Sequence, residues 1–336
     1  ADIVRASLDM KEIYRIIDAV EERRKNGMEN QPILSICIPT YKREYLIEKL
    51  INGIYAQNCD RSLFEVCITD NSETDETQKL IQDKFSGIEN LHYKKVECEG
   101  YRNSIEALKL GNGQFLKLHN DYTMFHDGCL AKLIDNVAAL AKDKPVVFYT
   151  LRGKDEVRSF RDFDKFMYDI NYLSTWSSSF SIWKEDFDRL MTDGINCNSM
   201  YPHTSLLFAE SWKNNFLVDE YGYFYNDQPK KKGGIKGKSG YNLVDNFVRI
   251  YLGMVNDDLV SKNLISPKTY ARIETNILRF CANSYVRYNN RPGYTYSFDD
   301  KKGIITKQCG TRAYMQYCFF ESLYRIRKLV KPGDIS

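Results

Sequence analysis

Four polar stretches each follow an apolar run that reads as a buried strand: "PTYKRE" (39–44), "TDNSETDET" (69–77), "CEGYRNS" (98–104) and "HNDYT" (119–123). They offer carboxylates in Asp70, Asp75 and Asp121, guanidinium groups in Arg43 and Arg102, and neutral polar side chains in Thr40, Tyr41, Asn71 and Asn103. That mixture suits a nucleotide, with carboxylates for base or ribose groups or for a divalent cation, and cationic side chains for phosphates. Neither the GxGxxG signature nor the GxxxxGK[ST] loop is present, so the pattern is neither a standard dinucleotide site nor a Walker site. The fourth stretch is the most pointed. In "LKLHNDYTMF" (116–125) a strand runs into His119, Asn120 and Asp121, and an open α/β sheet puts its chemistry at such strand ends.

The elements that must position these loops follow from periodicity. "ILSICIP", "FEVCITD", "LHYKKV", "QFLKLHND" and "KPVVFYTL" read as five strands. Between them, "EYLIEKLINGIYAQ", "SETDETQKLIQDKF", "RNSIEALKLGNG" and "DGCLAKLIDNVAALAK" read as helices, the second with Asp75 and Gln78 spaced as a capping box and the third closed by Gly111. Strand and helix alternating at this spacing predict an α/β fold with a doubly wound, largely parallel sheet. The rhythm fades after residue 151. "STWSSSFSIW" (174–183) is strand-like, 229–240 is a lysine- and glycine-rich loop, and helices are predicted near 242–262, 267–288 and 312–330. Residues 7–24 are amphipathic, so 1–27 reads as an accessory helix or a leader before Met28. The expected division is 28–240, with a nucleotide-binding half at 32–150 and an acceptor half at 151–240, followed by a helical region at 241–336.

Composition narrows the classes. A net charge of +3 over 336 residues is too small to argue for nucleic acid as a partner. Nine cysteines without a CxxC pair argue against zinc and for a reducing compartment. No run of 18 apolar residues and no apolar leader occurs, which reads as a cytoplasmic chain without a transmembrane helix.

Taken together, "LSICIPTYKREYLIEKLINGIYAQ", "VCITDNSETDET" and "YRNSIEALKLGNGQFLKLHND" resemble the nucleotide-binding half of family-two glycosyltransferases, over about residues 32–150. The resemblance implies the GT-A fold and a nucleotide-sugar donor, with UDP the commonest carrier. It assigns nucleoside contacts to Thr40, Tyr41 and Asp70, and matches the family's Arg-Asn pair to Arg102 and Asn103. It places Asp121 in the aspartate motif that binds Mn or Mg and the donor diphosphate. Here Asn120 and Tyr122 or Thr123 stand where a second carboxylate is common, which implies a weakly bound cation.

Inverting members of that family use a carboxylate base on a downstream helix. Asp186, in "IWKEDFDRL", is one candidate. His203, in "MYPHTSLLFAE", is the other, as base or as an extra metal ligand. Trp176 is expected to stack on the acceptor sugar, and the 229–240 lysines to fold over the diphosphate. The C-terminal "YMQYCFFESLYRIRKLVKPG" mixes aromatic and basic residues. It suits an anionic membrane surface near a lipid-linked acceptor, a core helix or a homodimer contact. The expected function is transfer of a sugar from a nucleoside-diphosphate donor to a hydroxyl of a cell-surface glycan precursor, such as capsule or O-antigen, with inversion and with metal assistance. The rivals are a non-catalytic nucleotide-sugar-binding relative and a nucleotidyltransferase.

Overall fold

The computed structural model describes residues 31–151, 153–227, 242–288 and 300–330. The leader reading of 1–27 and the lysine lid of 229–240 lie outside them.

Three parallel strands form the heart of the sheet: β1 (Leu34–Thr40), β2 (Phe64–Asp70) and β3 (Leu91–Lys95). Two helices separate them in sequence, α1 (Glu44–Tyr55) and α2 (Glu76–Lys84). Next come α3 (Asn103–Leu110), β4 (Phe115–Leu118), β5 (Thr123–Phe125), α4 (Cys129–Leu140), β6 (Val146–Tyr149), β7 (Val157–Phe160) and α5 (Phe163–Ile170). The chain continues through β8 (Ser181–Trp183), α6 (Lys184–Thr192), α7 (Pro202–Ala209), β9 (Phe216–Asp219) and β10 (Phe224–Asn226). The main sheet has the order β3-β2-β1-β4-β8, parallel except for β8 against β4.

Hydrophobic burial explains that centre. Leu34, Ile36, Cys37, Ile38, Val66, Cys67 and Ile68 are buried, because a central parallel strand is covered on both faces. Helix α1 buries Leu46, Ile47, Leu50, Ile51 and Ile54, and α4 buries Leu130, Leu133, Ile134 and Val137. Both stripes recur at helical spacing, which is what lays these helices on a sheet.

The expected strand "QFLKLHND" stops early. Leu118 is the last residue of β4 paired with β1, opposite Cys37. His119 still donates its N–H to the Cys37 carbonyl at 2.8 Å, and Thr123 N–H then closes a turn on the Asn120 carbonyl at 3.0 Å. Residues 123–125 pair with β10 instead, in a separate two-stranded sheet. Asn120 and Asp121 are therefore turn residues between two sheets, not strand residues. The fifth expected strand is real, but β6 belongs to a third sheet, β6-β9-β7. "STWSSSFSIW" is mostly 3-10 turn, with only its last three residues extended. The capping box on α2 is not formed: Asp75 makes no cap bond and pairs with Lys95.

The chain divides into two compact units, residues 1–162 with 176–228, and residues 163–175 with 229–336. The first carries every strand named above. The second holds α5, a helical run of wide turns at 245–260, α8 (Pro267–Tyr288), α9 (Lys301–Cys309) and α10 (Thr311–Val330). Residues 163–175, expected in the acceptor half, cluster with these helices. Inside this unit Ile273, Ile277, Leu278 and Cys281 of α8 are buried together with Ala313, Tyr317 and Phe320 of α10. The Phe280 ring meets Tyr172 at 5.3 Å and Phe247 at 4.9 Å. Asp164 accepts from the Ser266 backbone at 2.8 Å just before Pro267 starts α8. Among the described residues no helix is long and apolar enough to cross a membrane.

Candidate active site

The carboxyl ends of β1 and β4 converge on one side chain. Asp121 is almost wholly buried. Thr40, the last residue of β1, donates its hydroxyl to Asp121 Oδ2 at 3.0 Å, and Arg43 Nη1 donates to Oδ1 at 2.9 Å. Burial pushes the Asp121 carboxyl up from its ordinary pKa, and the Arg43 charge pulls it back. Burial works against the Arg43 charge too, but Asp121 more than restores it. The guanidinium lies 5.8 Å from the Tyr122 ring, and about half of the side chain stays exposed. A planar, delocalised cation fixed by a buried carboxylate and an aromatic ring keeps donors in a rigid fork, the geometry that suits phosphate.

Around this pair the loops brace one another. Asp70 is fully buried and accepts from Ser72, from its N–H at 2.9 Å and also from its hydroxyl. The Tyr93 hydroxyl reaches its other oxygen at 3.4 Å. The Ser72 hydroxyl accepts from the Lys42 N–H at 2.7 Å, and Lys42 pairs with Glu73 at 2.6 Å. Asn103 Nδ2 lies 3.0–3.1 Å from the Thr40 carbonyl, the Thr69 carbonyl and Asn71 Oδ1. Asp70 and Asn103, both expected to touch the nucleoside region, are thus committed to holding the strand ends in place. Tyr41, whose hydroxyl donates to Glu73 at 3.0 Å, and Arg102 are exposed.

Next to Asp121, Asn120 donates to the Tyr122 hydroxyl at 2.9 Å and accepts from the Ser177 hydroxyl at 3.0 Å. This ties the 176–179 turn beside Asp121 and leaves Trp176 exposed on it. Beneath lies a lysine that pattern reading passed over. Lys117 is fully buried on β4, and its ammonium donates to the Leu118 carbonyl at 2.8 Å and to the Ser178 carbonyl. The rings of Tyr149 and Phe224 lie 5.2 and 5.0 Å from it. A lysine between two leucines in a buried strand was the available signal. His119 is a core residue: its Nε2 is 2.7 Å from the Thr123 carbonyl, its ring stacks on Phe125 at 5.0 Å, and burial lowers its pKa to about 3.

The two base candidates separate. β8 runs antiparallel to β4 with Trp183 opposite Phe115, so α6 starts at the amino edge of the sheet, away from Asp121. There Asp186 is paired with Lys213 and, at 3.4 Å, with Arg189. Glu210 sits 3.6 Å from the same ammonium, and burial raises its carboxyl to about 8. Asp186 is a structural ion-pair residue, and its expected role as base is withdrawn. His203 is buried in the first turn of α7, its ring 6.3 Å from Phe180. The Phe180 carbonyl accepts from Leu118 N–H at the end of β4, on the Asp121 side.

The Mn or Mg implied by the resemblance does not fit the donor set as it stands. Both Asp121 oxygens are bonded, the Asn120 side chain is committed on both sides, and among the described residues no three His, Cys, Asp or Glu side chains are placed to hold a metal ion. Each Asp121 oxygen takes one side-chain bond, so a cation arriving with a diphosphate would have to share this carboxylate with Thr40 and Arg43.

The model of glycosyl transferase family 2 matches residues 35–211, and the chain belongs to that family. It is 27% identical over 279 residues to the abequosyltransferase RfbV of Salmonella typhimurium, covering 72% of this chain and 79% of that protein. A Campylobacter jejuni GalNAc(5)-diNAcBac-PP-undecaprenol beta-1,3-glucosyltransferase is 29% identical over 109 residues, 31% of this chain and 34% of its own. The S. aureus TarS 1-349 structure in complex with UDP-GlcNAc shares the fold at a TM-score of 0.50 and 17% identity, covering 87% of this chain and 80% of that one. The protein is a glycosyltransferase.

Proposed function

We propose that this glycosyltransferase moves a sugar from a nucleoside-diphosphate donor, a UDP-sugar first among them, to a hydroxyl of a cell-surface glycan precursor, with inversion. The observation that carries the reading is the convergence of Thr40 and Arg43 on buried Asp121 at the carboxyl ends of β1 and β4. The names of the relatives, an abequosyltransferase and a transferase acting on a PP-undecaprenol-linked glycan, support a lipid-linked or polymeric acceptor.

In this reading the diphosphate meets Arg43 and Arg102, which stabilise the charge that grows as the nucleotide departs. Asp121 holds Arg43 in place. The braced 70–73 turn and Tyr41 flank the nucleoside, with Asp70 and Asn103 as positioning residues. Trp176 receives the acceptor sugar, and His203 takes the acceptor proton.

The test is calorimetric titration of UDP, GDP, CDP and dTDP, with and without Mn. Tight binding of one of them, lost in Asp121→Ala, is expected. No binding by any of the four would end the reading. Binding that requires Mn would show that a cation joins the site with the diphosphate. A second reading, a donor-binding relative without chemistry, is favoured by the single, already paired carboxylate. Release of free sugar from the donor separates the two, since a binding protein releases none. A nucleotidyltransferase would need a glycine in the loop after β1, and residues 39–44 contain none.

A further inference from the structure

Charge is divided unevenly between the two units. Residues 163–175 and 229–336 carry 21 Lys and Arg against 10 Asp and Glu, a net +11. The remaining residues carry 27 against 35, a net −8, so the chain's +3 conceals two opposite fields.

Helix α10 adds an independent feature. Ala313, Tyr317 and Phe320 are its buried residues. On the opposite face Met315, Phe319, Ile326, Leu329 and Val330 are 58–82% exposed. At 100° per residue these five fall within one stripe, and Arg312, Arg325 and Arg327 lie along its borders. Arg325 is paired with Glu321 at 2.6 Å, whereas Arg312 and Arg327 are exposed. Water penalises a contiguous apolar stripe of this kind, and such patches mark interaction surfaces.

We infer that the outer face of α10 docks on an anionic lipid bilayer, lying in the interface with its apolar stripe among the acyl chains and its arginines at the headgroups. Three considerations select this occupant. The net +11 of the unit complements a negative leaflet, where each basic residue near the surface adds to the attraction. The apolar stripe gives that attraction a hydrophobic part, which a soluble polyanion has no use for. The same charge would also oppose pairing with a second copy of this unit. A helix that cannot span but is apolar on a basic outer face is the form that lies on a membrane.

The full chain is mixed with phosphatidylcholine vesicles, with or without phosphatidylglycerol, and sedimented. No donor or acceptor is present, so the outcome is separate from the transferase reading. Sedimentation with the phosphatidylglycerol vesicles only is expected. Phe319→Ser with Ile326→Ser, both on the exposed face, should weaken partition by roughly ten-fold or more. Arg312→Glu with Arg327→Glu should do likewise, and what binding remains should fall less steeply with salt than that of the unaltered chain. Absence of binding overturns the inference. So does binding to charged vesicles that ignores the serine variants, which would mark a general polyanion surface. A dimer by sedimentation equilibrium that the serine variants turn into monomer overturns it too, because the stripe would then be a self-contact.

Discussion

Two buried carboxylates occupy opposite ends of the sheet, and their hydrogen bonds separate their roles. Glu65 accepts from Ser35 at 2.6 Å, from Gly113 N–H at 2.9 Å and from His92 at 3.1 Å, and these partners lower its pKa in spite of burial. It is saturated and structural. Among the described residues Asp121 is held by the side chains of Thr40 and Arg43 and by its own backbone N–H, and about half of the Arg43 side chain faces solvent. Removing Arg43 therefore strands a buried charge. Arg43→Ala should cost roughly 1–3 kcal/mol of stability, discounted for the exposure of the arginine. Asp121→Ala should cost less stability but about 100-fold or more in turnover. The double variant should recover part of the Arg43→Ala loss. A denaturant double-mutant cycle reads this, and strictly additive losses would show that the pair is not coupled. At the other edge, Asp186→Asn leaves Lys213 without its closest counter-ion. A loss of about 3 kcal/mol is expected with kcat of the folded enzyme unchanged. A large fall in kcat without destabilisation would restore Asp186 as a base candidate.

At the scale of the element, β4 decides how the site is built. Its four residues pair with β1, the chain leaves the sheet, and the return strand β8 brings the 176–179 turn against Asn120. Lys117 fastens that turn from below. Its burial lowers the ammonium pKa from 10.5 to about 7, so between these values the unfolded chain binds a proton that the native chain does not. Stability should rise with pH across that window and be lost as pH falls from 10.5 towards 7. Lys117→Met should flatten the slope in a urea titration series, and an unchanged slope would mean that Lys117 stays charged in the fold.

The α/β alternation and the loops that meet were legible because buried strands and helical stripes write their period into the residues. Three things were not. The exit of β4 from the sheet depends on a partner, β10, a hundred residues away. The commitment of Asp70 and Asn103 to the scaffold depends on carbonyls and hydroxyls of other loops. The distance between Asp186 and the site follows from the antiparallel return of β8, which no local pattern specifies.

The whole molecule is two units with opposite charge and different construction, one a set of sheets with covering helices and the other wholly helical among its described residues. The three tryptophans, Trp176, Trp183 and Trp212, all lie in the first unit. Trp183 is buried against Phe115 at 4.8 Å, and its indole N–H donates to the Pro145 carbonyl at 2.8 Å. Trp176 is exposed beside the crevice. Selectively excited tryptophan emission therefore reports the first unit alone, while far-ultraviolet dichroism also follows the helices of the second. Following one thermal melt by both signals would tell whether the units unfold together, and a sugar-induced change in emission that is lost in Trp176→Phe would test the proposed sugar contact without any added label.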